Sequence, residues 1–222
     1  MNISSNIYTY LKDREPGLRY ASFDYCYNYF RSFHESSRIG DISSEQNIQV
    51  SCLQLAFYLA SWGMIRGSAW LLQKSYKHFE RLIYEISRME SDLWVVDVNC
   101  YTDNNIAKLL DAWGRIRRVL GDDGDNPASD ILITKIMLGV FGNVPAFDTY
   151  FRQSLGLCTF CKRGLGVIRG FYESNKEEID SYNIRTIDYF TGQETNRYYS
   201  KAKIIDMVGF IEGEKTTKRR KK

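Results

Sequence analysis

The stretch from Ser129 to Phe151, SDILITKIMLGVFGNVPAFDTYF, constrains the fold more than any other part of this chain. Its first half is apolar at spacings that bury one side of a helix, on Ile131, Ile133, Ile136, Met137 and Val140. Gly142 and Asn143 tolerate positive φ, and Pro145 then blocks continuation of the helix. The stretch therefore predicts a core helix, a turn and a second helix with Asp148 in its first turn.

An acid at that position has a structural and a functional interpretation. The helix dipole and the unpaired amides of a first turn favour a carboxylate there, which would make Asp148 a helix cap. The same position also lies at the mouth between two helices, where binding and catalytic groups are common. Asp148 is therefore our first candidate site residue.

The run TKIMLGVFGNVPAFDTYF, residues 134 to 151, resembles the closing half of the helix-hairpin-helix DNA base-excision glycosylases. In that family a helix, a short turn and a Pro-x-x-Asp segment deliver the catalytic aspartate. The resemblance implies that Asp148 is this aspartate and that Lys135 is the hairpin lysine. The preceding loop, residues 121 to 126, is acidic where the family has a glycine-rich hairpin that holds a phosphate. The blocks SFDYCYNYF, FYLASWGM and GVFGNVPAFD resemble those of bacterial proteins without an assigned activity.

Composition and periodicity predict an all-α protein with a single domain and a bundle of about eight to ten helices. The chain has 222 residues, of which 44% are hydrophobic, and this is ample for one packed core. Its three prolines favour helices over a turn-rich sheet protein. We expect the domain to span residues 1–214. Residues 215–222 are basic with almost no apolar content, and this favours a disordered tail.

Two segments supply further candidate binding residues. Residues 20 to 34 hold seven aromatic side chains, which either fill the core or form a stacking platform for bases, and Asp24 and Tyr27 lie among them. The apolar run from residue 50 to 72 predicts a helix that contains Trp62 and Arg66. Gly63 and Gly67 lower its helix propensity, so close helix packing or a bend at a cleft is expected.

Arg66 is the one charge in that apolar run, and we expect it to reach solvent or to pair with Asp24 or Asp148. Because Gln54, Arg66 and Gln73 interrupt the run, it does not predict a membrane span. Residues 173 to 190 predict another helix, and the loop Asp122 to Asp125 predicts a solvated acidic turn rather than a calcium site.

Other classes of function find little support in the sequence. Walker, dinucleotide-binding, zinc-protease and serine-hydrolase motifs are absent, and we expect no cofactor. Cys158-x-x-Cys161 lacks a second pair of ligands, so we expect no metal. The amino-terminal residues do not resemble a signal peptide, and five cysteines form no regular framework, which together indicate the cytoplasm.

Two functions remain from the sequence. The first is a cytoplasmic macromolecule-binding protein, a candidate member of a bacterial defence or mobile-element cassette, with DNA or another protein as its partner and no membrane. The second is a helix-hairpin-helix-like DNA glycosylase that excises a modified or damaged base. In it Asp148 would act as the catalytic carboxylate, and aromatic side chains would flank a flipped base.

Overall fold

The computed structural model of the chain describes residues 1–121 and 128–220, and the predicted all-α architecture is confirmed within these ranges. The α-helices are α1 Ile3–Lys12, α2 Ser22–Glu35, α3 Ile48–Ser61, α4 Glu80–Ser87, α5 Asp103–Gly121, α6 Asp130–Phe141, α7 Thr149–Leu155, α8 Lys162–Ser174, α9 Lys176–Ser181 and α10 Lys201–Arg220. Short 3-10 turns connect several of them. Strands β1, Arg185–Ile187, and β2, Glu194–Tyr198, form one antiparallel hairpin.

Helix α6 is the centre of the fold, as its apolar sequence predicts. Every residue from 132 to 141 is buried, and the helix packs against α2, α3 and α5. Ser129 caps its start by accepting a bond from the Leu132 amide. Gly142 ends it in the left-handed region, with φ of 68°. The Tyr27 ring lies so close to Gly142 that a side chain there would clash as well as strain the backbone.

Helix α10 crosses α7 closely and also packs against α1. Gly209 and Gly213 lie one turn apart on the crossing face. A Cβ at Gly209 would overlap the Phe151 ring, and a Cβ at Gly213 would overlap the Tyr150 carbonyl group. The two glycines therefore set how closely α10 approaches the helix that begins after Asp148.

The predicted helix over residues 50 to 72 is wrong beyond Ser61. Helix α3 ends there, and residues 62 to 69 form a loop in which Gly63 has φ of 75° and Gly67 has φ of 53°. Positive φ is incompatible with a continuing α-helix. Of the two expectations for these glycines, the structure shows the bend.

Two later segments also differ from the sequence prediction. The helix predicted over residues 173 to 190 ends at Ser181, and the chain then enters the β-hairpin, whose turn contains Gly192 at φ of 65°. The tail predicted to be disordered from residue 215 instead continues α10 to Arg220. Lys215 donates a hydrogen bond to Asn6, and Thr217 donates one to Gln153, so tertiary contacts hold this basic segment.

The predicted acidic turn, Asp122 to Asp125, lies outside the described residues. Within the described ranges, the helices are too short or too polar for any of them to span a bilayer.

Candidate functional site

The segment between α6 and α7 returns along α6 and brings Asp148 back to the level of Lys135. The Phe147 amide donates a 2.8 Å hydrogen bond to the Thr134 hydroxyl, which lies one residue before Lys135. The Ala146 amide donates a 3.0 Å bond to Asp206 Oδ1 on α10. These two bonds fix the extended return. The left-handed Gly142 makes the reversal after α6 sterically accessible.

Asp148 caps α7 from a partly buried position. Its Oδ1 accepts a 2.9 Å hydrogen bond from the Phe151 amide, the arrangement expected of a helix cap. Burial raises the pKa of Asp148, while the positive charge of Lys135 and the Phe151 amide act in the opposite direction. The predicted placement of Asp148 at a helix start is therefore correct, and its carboxyl group is also desolvated.

Lys135 projects from α6 to the carboxyl end of α3. The residue is 5% exposed, and its Nζ donates a 2.8 Å hydrogen bond to the Trp62 carbonyl, at the end of that helix. The Nζ atom also lies 5.6 Å from the centre of the Trp62 ring. Burial lowers the pKa of Lys135, the charges of Asp148 and Asp206 raise it, and Arg19 and Arg66 lower it further.

A stack of aromatic rings forms one wall beside this amine. The Trp62 ring stacks on Tyr20 with centres 5.2 Å apart, and Tyr20 stacks on Tyr10 at 4.4 Å. Phe210 from α10 meets both Trp62 and Tyr20 edge-on. The Arg19 guanidinium lies 5.5 Å from the Trp62 ring. The buried Trp62 Nε1 has no hydrogen-bond partner among the described residues.

We call Lys135, Asp148, Trp62 and Arg19 together the lysine site. It combines an amine of lowered pKa, a carboxyl group of raised pKa, an indole donor and an exposed guanidinium. A lowered amine pKa and a raised carboxyl pKa in one partly buried place are typical of functional sites, and structural ion networks produce them too. Lys135 also has a structural role, because a cation at a helix carboxyl end stabilises that helix.

A buried ion pair between Lys203 and Asp206 lies behind the lysine site. Lys203 Nζ lies 2.9 Å from Asp206 Oδ2 and donates a 2.9 Å hydrogen bond to the Tyr10 hydroxyl. The other Asp206 oxygen holds the Ala146 amide. Lys203 and Asp206 thus connect α10, the aromatic stack and the return segment. These two residues are the only charges in the apolar run of residues 202 to 211 of the sequence. The sequence interpretation missed this signal.

Asp24 and Tyr27 do not belong to the lysine site, although the sequence interpretation named both as binding residues. Asp24 is 0% exposed and accepts hydrogen bonds of 3.0 and 3.4 Å from Arg14. Burial raises the pKa of Asp24, and Arg14 opposes that change. Tyr27 is buried between Phe23 and Gly142. Both residues therefore lie in the packed core and outside the lysine site, and their role as binding residues stays a prediction.

Arg66 lies in the exposed part of the loop after α3. Of the two alternatives for this residue, the structure shows the solvated one, because no ion pair joins Arg66 to Asp24 or Asp148 within the described residues. The positive charge of Arg66 nevertheless lowers the pKa of Lys135. Trp62, by contrast, is part of the lysine site, and its role as a binding residue stays a prediction.

Arg19 and Tyr20 were missed from the sequence. They precede α2 in a short 3-10 turn, and their side chains reach Trp62 only through tertiary packing. No spacing within the sequence connects residues so far apart in the chain.

A surface groove of about 650 Å³ borders the lysine site. It runs between α3, the start of α2 and the β-hairpin, and its lining includes Arg19, Tyr25, Phe57, Tyr58 and Tyr189. Arg19 is shared with the lysine site. Tyr58 also connects the two, since burial raises the pKa of its hydroxyl and the charges of Asp206 and Asp148 add to that effect.

Within the described residues, His, Cys, Asp and Glu side chains do not assemble in groups of three or more that could hold a metal ion. Comparison of the chain with protein families, with curated proteins and with solved structures found no match.

Proposed function

We propose that this protein is a DNA N-glycosylase of the helix-hairpin-helix kind, with Asp148 and Lys135 as its catalytic residues. One observation carries the proposal: the return of residues 142 to 147 along α6 brings Asp148, at the start of α7, within electrostatic range of the Lys135 amine. Their mutual electrostatic influence comes from the fold, whereas the resemblance that suggested them comes from the sequence.

The chemistry assigned to Asp148 is stabilisation of positive charge on the sugar. When the bond between C1′ and the base nitrogen breaks, its electron pair leaves with the base, and the sugar develops oxocarbenium character. A carboxylate on the opposite face stabilises that charge or accepts the proton of an attacking water. Asp148 is suited to this task because the Phe151 amide fixes its orientation.

Lys135 supplies a second route to the same product class. Desolvation lowers its pKa and so increases the fraction of neutral amine, the form that acts as a nucleophile. Attack of its lone pair on C1′ forms a carbon–nitrogen bond as the base departs with the electrons of the broken bond. Asp148 takes the proton that the amine loses and delivers it to the departing base.

Trp62 and Arg19 give this site features that suit a base. The indole ring presents an aromatic face, its Nε1 is a donor without a partner among the described residues, and Arg19 adds a cation near the ring. Enzymes that act on a base within DNA extrude it into a pocket and recognise it by stacking and hydrogen bonds.

The test is incubation of the full chain with oligonucleotides that each carry one modified base, followed by alkaline cleavage of the abasic product. We expect wild type to release at least one base, and Asp148→Asn and Lys135→Gln to lower the rate by at least about a hundredfold. Asp103 and Lys162 form an exposed ion pair at 3.2 Å and supply matched controls. Asp103→Asn and Lys162→Gln should react as wild type.

Two results would contradict the proposal. One is equal base release by wild type and both site variants. The other is a folded wild-type protein that binds the oligonucleotides but releases none of the modified bases in the panel.

A non-catalytic macromolecule-binding protein is the second candidate, and the groove favours it. Several large apolar side chains are exposed along its edge, with Phe57 at 71%, Tyr189 at 68% and Leu53 at 42% exposure. Isolated apolar residues are common on surfaces, but a contiguous group around a groove indicates binding. If this candidate is correct, Asp148→Asn will leave every measured interaction intact, while Phe57→Ala will lower the recovery of the partner from the native host. Its cytoplasmic setting and its place in a defence cassette are further proposals.

A further inference from the structure

We infer that the groove beside the lysine site binds an unpaired stretch of nucleic acid, so that the substrate is single-stranded or locally opened DNA. The inference rests on the proposed function, because it names the substrate class of the same site. It begins from the shared residues: Arg19 lies in the groove lining and also against Trp62 of the lysine site.

The groove walls offer flat apolar faces from three separate elements. Phe57 comes from α3, Tyr25 from α2 and Tyr189 from the β-hairpin. The rings of Tyr25 and Tyr189 meet edge-on at 5.2 Å, and Phe190, next in the chain, is 90% exposed. Bases stack on such side chains irrespective of sequence, because each base has an aromatic face.

The charges and donors of the groove suit the same ligand. Among the described residues, its lining contains Arg19 and no carboxylate, so none of these side chains repels a phosphate. Ser22 lies in the lining and is 4% exposed, yet its hydroxyl has no hydrogen-bond partner among the described residues. This buried hydroxyl is a donor and acceptor for a base edge.

Stacking rather than phosphate contact should dominate this binding. One arginine in the lining allows few phosphate contacts, whereas proteins that hold duplex DNA neutralise many. The groove therefore favours unpaired bases over a duplex. A protein helix or a second copy of the chain would fit the exposed Leu53 and Phe57 but would leave the link to the lysine site unexplained.

The test measures fluorescence anisotropy of a labelled oligothymidylate with the full chain, beside a duplex of the same length. Wild type should bind the single strand more tightly. Phe57→Ala and Tyr189→Ala should each raise Kd by about 5- to 100-fold, since both side chains are exposed and their loss should leave folding intact. Tyr84→Ala, an exposed tyrosine on α4 outside the groove, is the matched control and should bind as wild type.

Salt adds a second readout. The slope of log Kd against log salt should correspond to about one or two phosphates, at about 0.7 for each phosphate of a single strand. A steep slope with preference for the duplex would overturn the inference. Unchanged binding by Phe57→Ala would overturn it as well. A wild-type dimer in sedimentation that Phe57→Ala dissociates would assign the groove to contact between copies instead.

Failure of this inference can be separated from failure of the proposed function with Asp148→Asn. This variant should bind the oligothymidylate as wild type does while releasing no base. Base release by wild type without single-strand binding would sink the inference and leave the glycosylase proposal standing. Single-strand binding that depends on the groove, without base release from any oligonucleotide, would contradict the glycosylase proposal and leave the binding inference standing.

Discussion

Arg14 with Asp24, and Lys135 with Asp148, are two places where this fold puts a cation and a carboxylate into its interior. In the first, Arg14 Nε and Asp24 Oδ2 lie 3.0 Å apart, and the carboxylate is completely buried. In the second, each charged group bonds to the backbone instead, Lys135 to the Trp62 carbonyl and Asp148 to the Phe151 amide. The two interact electrostatically without an ion pair.

This difference separates a structural pair from a candidate site. A closed and fully buried ion pair has exchanged its hydration for mutual contacts, so neither partner is available to a ligand. Lys135 and Asp148 are oriented by backbone groups, and their remaining capacity for bonding is not taken up by each other. Orientation without mutual neutralisation is what catalysis by an acid and an amine requires.

The largest effect that tests the comparison is expected from Asp24→Asn. The substitution keeps the shape of the side chain but leaves the Arg14 charge without its buried partner, which costs about 3–5 kcal/mol. This loss in the free energy of unfolding is measured by urea denaturation, with the mid-point and the slope fitted separately. Asp148→Asn in the same assay is the counterpart, and a loss of stability as large as that of Asp24→Asn would show that the two regions do not differ.

A smaller loss is expected when the helix crossing beside the site is forced apart. A Cβ at Gly213 overlaps the Tyr150 carbonyl, and this backbone group cannot rotate away. Gly213→Ala should therefore lower stability by about 1–3 kcal/mol. Gly166→Ala is the matched control, because that helical position is open and alanine there should be neutral or slightly stabilising. Equal thermal mid-points for the two variants would contradict the close crossing.

Asp148→Asn should change stability by less than about 1 kcal/mol, because asparagine caps a helix as well as aspartate does. Base release should nevertheless be lost, since the amide carries no charge to stabilise the sugar. Paired measurements of unfolding and of base release on one preparation decide this. An active variant, or one as unstable as Asp24→Asn, would move Lys135 and Asp148 into the structural class with Arg14 and Asp24.

Local sequence signals were sufficient for the helix, the turn and the cap that carry part of the site. The buried run of α6, the left-handed Gly142 and the cap at Asp148 are each encoded within a few residues. The approach of Asp148 to Lys135 instead depends on hydrogen bonds from the return segment to Thr134 and Asp206. Trp62 was chosen, but its partners Arg19 and Tyr20 come from another segment, and only packing brings them together.

Tertiary contacts overrode local propensity elsewhere. Residues 215 to 220 continue helix α10, and Lys215 and Thr217 bond to Asn6 and Gln153, tertiary contacts that the charge run does not encode. Strand β1 falls within the helix that the sequence predicted over residues 173 to 190, because strands of only three and five residues leave a weak pattern. Gly192 in the turn and the β-branched and aromatic residues that follow were the available signals.

The smallest expected effect is the pH dependence of the stability difference between Asp148→Asn and wild type. Burial raises the pKa of Asp148, so the folded protein binds this proton more tightly than the unfolded chain does. The resulting stabilisation is complete below the unfolded pKa of about 3.9 and is lost as the pH rises through the folded value. Asparagine does not titrate. The variant should therefore gain stability relative to wild type across that interval and hold a constant difference above it. Urea unfolding at closely spaced pH values measures this difference. A relative loss of stability for Asp148→Asn over the same interval would mean that Lys135 closes an ion pair with Asp148 in solution, and the contrast with Arg14 and Asp24 would disappear.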